Sequence, residues 1–166
     1  ALHNFAQIQR RRGDDNGALD SLRASLDIHA DLGDRAGEAR NLNTIGLIHL
    51  DRGDFGPAAE AFAKSLAGAR QARDLRTQAN ALTNLGTVHG RTGRLQEALR
   101  HHLEALSLRR QIRDRAGEAA SLNNEASIRE LMGDAQEALR LYESSLAIHR
   151  ETGDRRAEAV VLVNLG

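Results

Sequence analysis

The chain has 166 residues, no cysteine, and equal numbers of basic and acidic residues, 23 of each, so its formal net charge is zero. Balanced charge argues against a dedicated nucleic-acid or membrane surface, which would carry an excess of basic residues. The absence of cysteine excludes a disulfide framework, a thiolate metal site and a cysteine nucleophile. No apolar run approaches the roughly 20 residues that a membrane span needs, and the N-terminal residues do not resemble a signal peptide, so we expect a cytoplasmic protein.

Signals for α-helices follow one another along the chain, as a composition with one proline and few aromatic residues favours. In the best-defined segment, Asp34 is placed to cap the first turn, and apolar residues recur at helical spacing from Ala39 to Ile48. Gly53 favours the end of this helix, and Asp54 is expected to cap the next. The predicted helices cover residues 2–12, 15–31, 35–52, 55–72, 75–92, 95–112, 115–132, 135–152 and 155–165.

Other residues mark the start of the second helix in each pair. Pro57 falls in a first turn, where its missing N–H costs little. Asp134 followed by Glu137 forms a capping-box pattern, whereas Arg94 stands where other pairs have Asp. We therefore expect a side-chain cap at Asp134 and a weaker helix start after Arg94.

The chain repeats itself at an offset of 40 residues, without insertion or deletion. Because one helix pair cannot bury both of its faces, such units are stable only when neighbours stack. This predicts an all-α solenoid of antiparallel helix pairs, with about four repeats and nine helices, as a single domain over 1–166 with boundaries near 33, 73, 113 and 153. The chain lacks an initiator Met and stops within a repeat, which predicts a fragment of a longer protein. Coinciding residues include Asp34, Asp74, Asp114 and Asp154, and also Leu42, Leu82, Leu122 and Leu162.

The repeat resembles the tetratricopeptide repeat, whose pattern is W-x2-L-G-x2-Y…A-x3-F…P over 34 residues. Here leucine replaces the tryptophan, the closing proline is absent, and six extra residues lengthen the helices. The 40-residue form is similar to the repeats of kinesin light chain, of Leu-Gly-Asn-type adaptors and of bacterial regulators that carry an NTPase module. The resemblance implies a right-handed α-solenoid that acts as a non-catalytic scaffold. The matching residues are Leu42-x-x-Ile45-Gly46-x-x-His49 and Ala58-x-x-x-Phe62.

The resemblance also implies which side chains meet a ligand, because in the family the first helix of each pair lines a concave groove. Asn80, Asn84, Thr87 and Arg91 are spaced 4, 3 and 4 apart and so share one helix face. The predicted peptide-binding residues are Arg40, Asn43, Asn80, Thr83, Asn84, Thr87, Arg91, Asn123, Asn124 and Ser127.

This row of side chains is polar and nearly uncharged. An Asn amide carries donors and an acceptor, so it can pair with both backbone groups of a peptide. We therefore predict a scaffold that holds a peptide or protein segment, as the sensing or regulatory arm of a larger protein. The alternative is a purely architectural or self-association array, in which the Asn side chains cap turns or bridge neighbouring helices.

The third repeat differs from the others at two positions on one helix face. Glu125 stands where Ile45 and Leu85 are apolar, and Arg129 stands four residues later, where other repeats have His. An acid and a base at i,i+4 form a favourable pair. We expect a partly buried salt bridge between them; the alternative is a pocket for a charged ligand group.

No arrangement of residues typical of catalysis is recognisable. The sequence has no phosphate loop of the G-x4-G-K type and no H-E-x-x-H motif. His49 and His89 are interpreted as packing residues, because a metal site would need further converging ligands. We predict that the protein is not an enzyme and has no cofactor, no metal and no nucleic-acid partner.

The last predicted helix has no second helix after it. Val160, Val161, Leu162 and Leu165 are expected to leave part of its apolar face uncovered. Neighbouring segments of a longer protein would cover this face. Through it, this chain is predicted to associate end to end or to bind another chain.

Overall fold

The computed structural model describes the backbone of residues 2–165 and the side chains of residues 2–164. Within this range the chain forms nine α-helices and no β-strand, as the sequence predicts. No helix in the same range is long and apolar enough to cross a bilayer. The helices are α1 (Leu2–Arg11), α2 (Asp15–Asp31), α3 (Arg35–Arg52), α4 (Phe55–Gln71), α5 (Leu75–Arg91), α6 (Leu95–Gln111), α7 (Arg115–Leu131), α8 (Ala135–Thr152) and α9 (Arg155–Leu165).

Four of the helices that open a predicted pair, α3, α5, α7 and α9, begin with an aspartate cap. The Gly37 N–H donates to Oδ1 of Asp34 at 2.8 Å, which confirms the predicted cap of α3. This backbone hydrogen bond lowers the pKa of Asp34, because it favours the carboxylate. Equivalent bonds begin α5, α7 and α9 at Asp74, Asp114 and Asp154.

The side-chain caps predicted at Asp54 for α4 and at Asp134 for α8 are wrong. Neither Asp54 nor Asp134 makes a side-chain capping bond to α4 or α8. Each carboxylate instead lies near a base in the last turn of the preceding helix, at 3.5 Å from Nδ1 of His49 and 3.4 Å from Nη1 of Arg129. In both cases the base lies five residues before the aspartate.

Two turns between repeats place a non-glycine residue in the left-handed region. Gly33 and Gly153 end their helices with φ of 65° and 72°. Arg73 and Arg113 occupy the equivalent positions with φ of 55° each. Left-handed backbone costs a residue with a Cβ roughly 1–2 kcal/mol, so these two turns are strained relative to their glycine counterparts.

The chain divides into two compact units, Ala1–Val88 and His89–Gly166. In the first unit, α1 packs on α2, α2 on α3 and α3 on α4. Leu22 is fully buried there, and burial of such a side chain stabilises by about 1.5–3 kcal/mol. The surrounding cluster contains Ala6, Ala18, Leu19, Leu22 and Ile48.

Small residues hold α3 and α4 close together in the first unit. A Cβ on Gly46 would lie 2.5 Å from Cε1 of the fully buried Phe62, so only glycine fits against this ring. The hydroxyl of Ser65 donates to the carbonyl oxygen of Ala39 at 2.7 Å. The recurring serine therefore fastens the second helix to the backbone of the first.

The second unit repeats this packing through α6, α7, α8 and α9, each on its neighbour. The hydroxyl of Ser145 donates to the carbonyl oxygen of Ala119 at 2.8 Å, as Ser65 does in the first unit. Two apolar clusters surround this contact. One contains Ala126, Ala138, Tyr142, Leu146 and Val161, and the other contains Leu106, Ala119, Leu122 and Ile148.

The final helix has a partly uncovered apolar face. Val160 and Leu162 are 54% and 46% exposed, as predicted. The prediction is wrong for Val161, which is 1% exposed because it packs back into the cluster around Tyr142. The side chain of Leu165 lies outside the described residues.

Candidate peptide-binding surface

Paired asparagines connect the first helices of consecutive repeats. In the first unit, Nδ2 of Asn84 on α5 donates to Oδ1 of Asn43 on α3 at 3.0 Å. In the second unit, Nδ2 of Asn164 on α9 donates to Oδ1 of Asn123 on α7, also at 3.0 Å. Both pairs join residues 41 apart in the chain. The same bond therefore recurs in each unit.

The bond uses only part of each amide. An Asn side chain has a carbonyl acceptor and two N–H donors. The pairing leaves the amino group of Asn43 and the carbonyl oxygen of Asn84 outside this bond, and both residues are half-buried. The bridging expected from a structural role is therefore present, and each pair still offers a donor and an acceptor.

The threonines of the predicted row point their donors into their own helix. The hydroxyl of Thr83 donates to the carbonyl oxygen of Ala79 at 2.9 Å, and that of Thr87 donates to the carbonyl oxygen of Thr83 at 3.1 Å. A hydroxyl keeps its acceptor lone pairs when it donates. Thr83 and Thr87 can thus accept from a ligand.

The arginines of the predicted row are more exposed than its amides. Nη1 of Arg40 lies 3.7 Å from Oδ2 of Asp74, and half of the Arg40 side chain is exposed. Arg91 is exposed in the last turn of α5. Asn80 and Asn124 are half-buried.

Ser127 adjoins a hydroxyl from the next helix. It is half-buried on α7 and lies near the phenol of Tyr142 on α8. The same phenol donates to Oε2 of Glu130 at 3.0 Å. This small polar group lies beside the row in the second unit.

The salt bridge expected in the third repeat is present. Nη2 of Arg129 lies 3.5 Å from Oε1 of Glu125, with side-chain exposures of 28% and 6%. Burial raises the pKa of Glu125, and the nearby guanidinium partly opposes that rise. Arg129 also reaches Asp134, so it joins two carboxylates.

The histidines of the second unit pack rather than converge. His102 is buried where Phe62 and Tyr142 stand in other repeats, and burial lowers its pKa to about 4. His89 stacks on His101 with ring centroids 5.2 Å apart, a contact that sequence spacing did not predict. Among the described residues, no group of three or more His, Asp or Glu side chains is arranged to hold a metal ion.

Asn41 is a polar residue that sequence reasoning did not single out. It is 1% exposed, and its Oδ1 accepts from Nδ1 of His3 at 2.8 Å, whereas its Nδ2 has no hydrogen-bond partner. The equivalent positions hold Ala81, Ser121 and Val161. An amide at a repeat position that otherwise holds small or apolar residues was therefore the available signal.

Stacked helix pairs with a recurring amide contact define an α-helical repeat scaffold. The sequence model of the tetratricopeptide repeat matches residues 1–71, 77–151 and 117–166. These matches cover almost the whole chain, and the protein belongs to the tetratricopeptide repeat family. No curated protein matches the chain in sequence.

Three solved structures are similar to this chain. BtubC (BKLC) from P. vanneervenii is 19% identical, with a TM-score of 0.81 over 92% of this chain and 63% of that protein. The signal transduction ATPase PH0952 from Pyrococcus horikoshii, described as having a tetratricopeptide repeat sensor, is 17% identical, with a TM-score of 0.86 over 99% of this chain and 25% of that one. A Rap protein complexed with Competence and Sporulation Factor is 15% identical, with a TM-score of 0.83 over 99% and 46%. At these low sequence identities, structural similarity shows only that the fold is shared. The chain spans less than two thirds of the length of each of these proteins.

Proposed function

We propose that the protein is a non-catalytic scaffold that holds a peptide or protein segment along the first helices of its repeats. The observation that carries the proposal is the recurring amide pair, Asn84 with Asn43 and Asn164 with Asn123. Each pair keeps a donor and an acceptor outside its own bond, which matches the backbone N–H and C=O of a peptide.

The fold of similar proteins supports the same role. Rap is a structural neighbour whose complex with Competence and Sporulation Factor is solved, and PH0952 carries a repeat sensor in a larger ATPase. We infer that this chain serves likewise as the sensing or regulatory arm of a larger cytoplasmic protein. A shared fold hosts many ligands, so the site residues must be tested directly.

The test separates ligand binding from helix bridging by a change that keeps the bridge. Peptides are first selected from a random phage-displayed library on the wild-type chain, and their affinity is measured by fluorescence polarisation. Asn43→Asp retains an oxygen that accepts from Asn84 but removes the amino donor. We expect it to weaken binding at least tenfold while the melting temperature stays near that of the wild type.

Two further variants complete the design. The double variant Asn84→Ala/Asn124→Ala removes one amide from each unit and should abolish binding of the selected peptides. Lys64→Ala is the control, because Lys64 is exposed on α4 and pairs only with Glu60 one turn away, at 2.6 Å. Selected peptides that bind Asn43→Asp and the double variant as tightly as the wild type would show that the amides have only an architectural role.

Self-association is a second candidate, favoured by the exposed apolar side chains of α9. Val160, Leu162 and Val163 are 54%, 46% and 80% exposed. If copies associate through this face, light scattering should show a mass that rises with concentration, and Leu162→Asp should restore the monomer. A constant monomer mass for the wild type at high concentration would exclude this candidate.

A further inference from the structure

A pocket of about 160 Å³ opens in the second unit, among the end of α7, the start of α8 and the end of α9. Its position is next to the amide pair, because Asn164 both lines the pocket and donates to Asn123. The lining residues are Glu130, Ala135, Ala138, Leu139, Tyr142 and Asn164.

The pocket coincides with a side chain that is smaller than its counterparts in the preceding repeats. Position 135 is alanine, whereas the equivalent residues are Asp15, Phe55 and Leu95. Phe55 and Leu95 are half-buried at the start of their helices, and Ala135 is exposed. A large apolar side chain at this position would occupy space that is open beside Ala135.

The pocket combines an apolar lining with a charged rim. Leu139 is 48% exposed, Ala138 is buried, and the ring of Tyr142 contributes to the same wall. At the rim, the phenol of Tyr142 donates to Oε2 of Glu130 at 3.0 Å and so fixes the position of the carboxylate. The site therefore offers apolar contact and a negative charge side by side.

The size of the pocket limits what it can hold. A cavity of about 150 Å³ lined by apolar side chains accommodates a molecule the size of benzene. One leucine-sized side chain thus fits the space, whereas two would not. The neighbouring amide pair can bond the backbone that carries such a side chain.

We propose that this pocket binds one aliphatic side chain of a bound peptide and that Glu130 binds a basic residue next to it. The proposal rests on the peptide-binding function proposed above and names the chemistry of the ligand. A leucine followed by lysine is the simplest sequence with both groups. The large residues Phe55 and Leu95 imply that the repeats that contain them lack an equivalent pocket, whereas the pocket beside Asp15 is lined by charged and polar residues.

The experiment uses short probes on the full chain, so that it does not depend on an identified partner. An acetylated pentapeptide amide, Ala-Gly-Leu-Lys-Ala, is titrated into isotope-labelled protein and followed by heteronuclear NMR. Two matched probes replace its leucine by glycine or its lysine by glutamine. We expect saturable shifts at Glu130, Leu139, Tyr142 and Asn164, with at least fivefold weaker binding of each matched probe.

Two variants of α8 provide the structural control. Ala135→Leu introduces the residue that the equivalent position 95 carries, Leu95. It should abolish the chemical-shift changes by filling the pocket. Ala147→Leu makes the same change at an exposed position on the same helix, outside the pocket, and should leave binding unchanged. Amide spectra of both variants report that the fold is intact.

The outcomes distinguish this proposal from the more general function. Binding that survives Ala135→Leu, shifts confined to other residues, or no shifts at all would overturn the pocket assignment. Such a result leaves the general function standing if the library-selected peptides still depend on Asn43. Conversely, pocket shifts together with peptides that ignore Asn43 would retain the pocket and overturn the role of the amides.

Discussion

Arg129 reaches back one helical turn to Glu125, with 3.5 Å between Nη2 and Oε1. The two partners differ in their surroundings, because the Glu125 side chain is 6% exposed and that of Arg129 is 28% exposed and has Asp134 as a second partner. Removal of Arg129 therefore leaves a buried carboxylate without its cation, whereas removal of Glu125 leaves Arg129 with Asp134 as a partner.

We expect Arg129→Leu to be the more destabilising change of this pair. It strands a buried carboxylate and should lower the free energy of unfolding by about 3 kcal/mol, the lower end of the range for breaking a buried pair. Glu125→Leu should cost about 1 kcal/mol, because Arg129 keeps Asp134 and reaches water. Urea denaturation of both single variants and the double variant measures these values. Equal losses in the two single variants would contradict the assigned asymmetry.

His102 should make stability depend on pH. Burial lowers its pKa from 6.5 to about 4 in the folded protein, so the unfolded chain binds the proton more tightly. The contribution of His102 to the free energy of unfolding is therefore fully present above pH 6.5. It is lost as the pH falls from 6.5 to about 4. A pKa of about 4 in the folded protein against 6.5 in the unfolded chain corresponds to roughly 3 kcal/mol.

His102→Phe is the matched test, since Phe62 stands at the equivalent position. The variant should melt higher than the wild type because it also removes a buried Nδ1 that lacks a hydrogen-bond partner. Its unfolding free energy should change less between pH 7 and pH 5, and Phe62→His should create a similar acid sensitivity. An unchanged pH profile in His102→Phe would show that another group is responsible.

The two arginines with positive φ should be stabilised by glycine. Relief of the left-handed strain of Arg73 or Arg113, partly offset by the greater flexibility of unfolded glycine, should raise the free energy of unfolding by about 0.5–1 kcal/mol. Thermal melts of Arg73→Gly and Arg73→Ala separate backbone strain from loss of the guanidinium. If the alanine variant gains as much as the glycine variant, strain is not the cause.

Aspartates at the two kinds of helix start should respond differently to alanine. Asp34 accepts from the Gly37 N–H at 2.8 Å, so Asp34→Ala should cost about 1 kcal/mol. Asp54 makes no capping bond, so Asp54→Ala should cost only a few tenths of a kcal/mol. Chemical denaturation compares the pair, and a larger loss at Asp54 would be inconsistent with the observed geometry.

The helices and their repeat could be predicted because their signals are local and periodic. Caps such as Asp34, the apolar spacing from Ala39 to Ile48, and glycine at Gly53 act within one or two turns. The predicted bounds agree with the structure to within one residue. The ion pair of Glu125 and Arg129 was predictable for the same reason, since both residues lie on one helix face.

The absence of side-chain caps at α4 and α8 and the pairing of the amides needed the tertiary structure. Asp54 satisfies the local rule for a cap, yet its carboxylate lies beside His49. Asn84 and Asn43 are 41 residues apart, so their contact depends on the distance and rotation between packed helices. The 40-residue period places both residues on the first helices of their pairs, but it specifies neither the distance nor the rotation between those helices.

The amino-acid sequence by itself determined the helices, their 40-residue period and the family, because these depend on short-range propensity and on repetition. Only the tertiary structure decided which polar atoms meet, which histidine is buried as the neutral form, and where Ala135 leaves a pocket. Those properties depend on packing distances of a few ångströms between helices, and a repeating pattern of residue types does not specify distances on that scale.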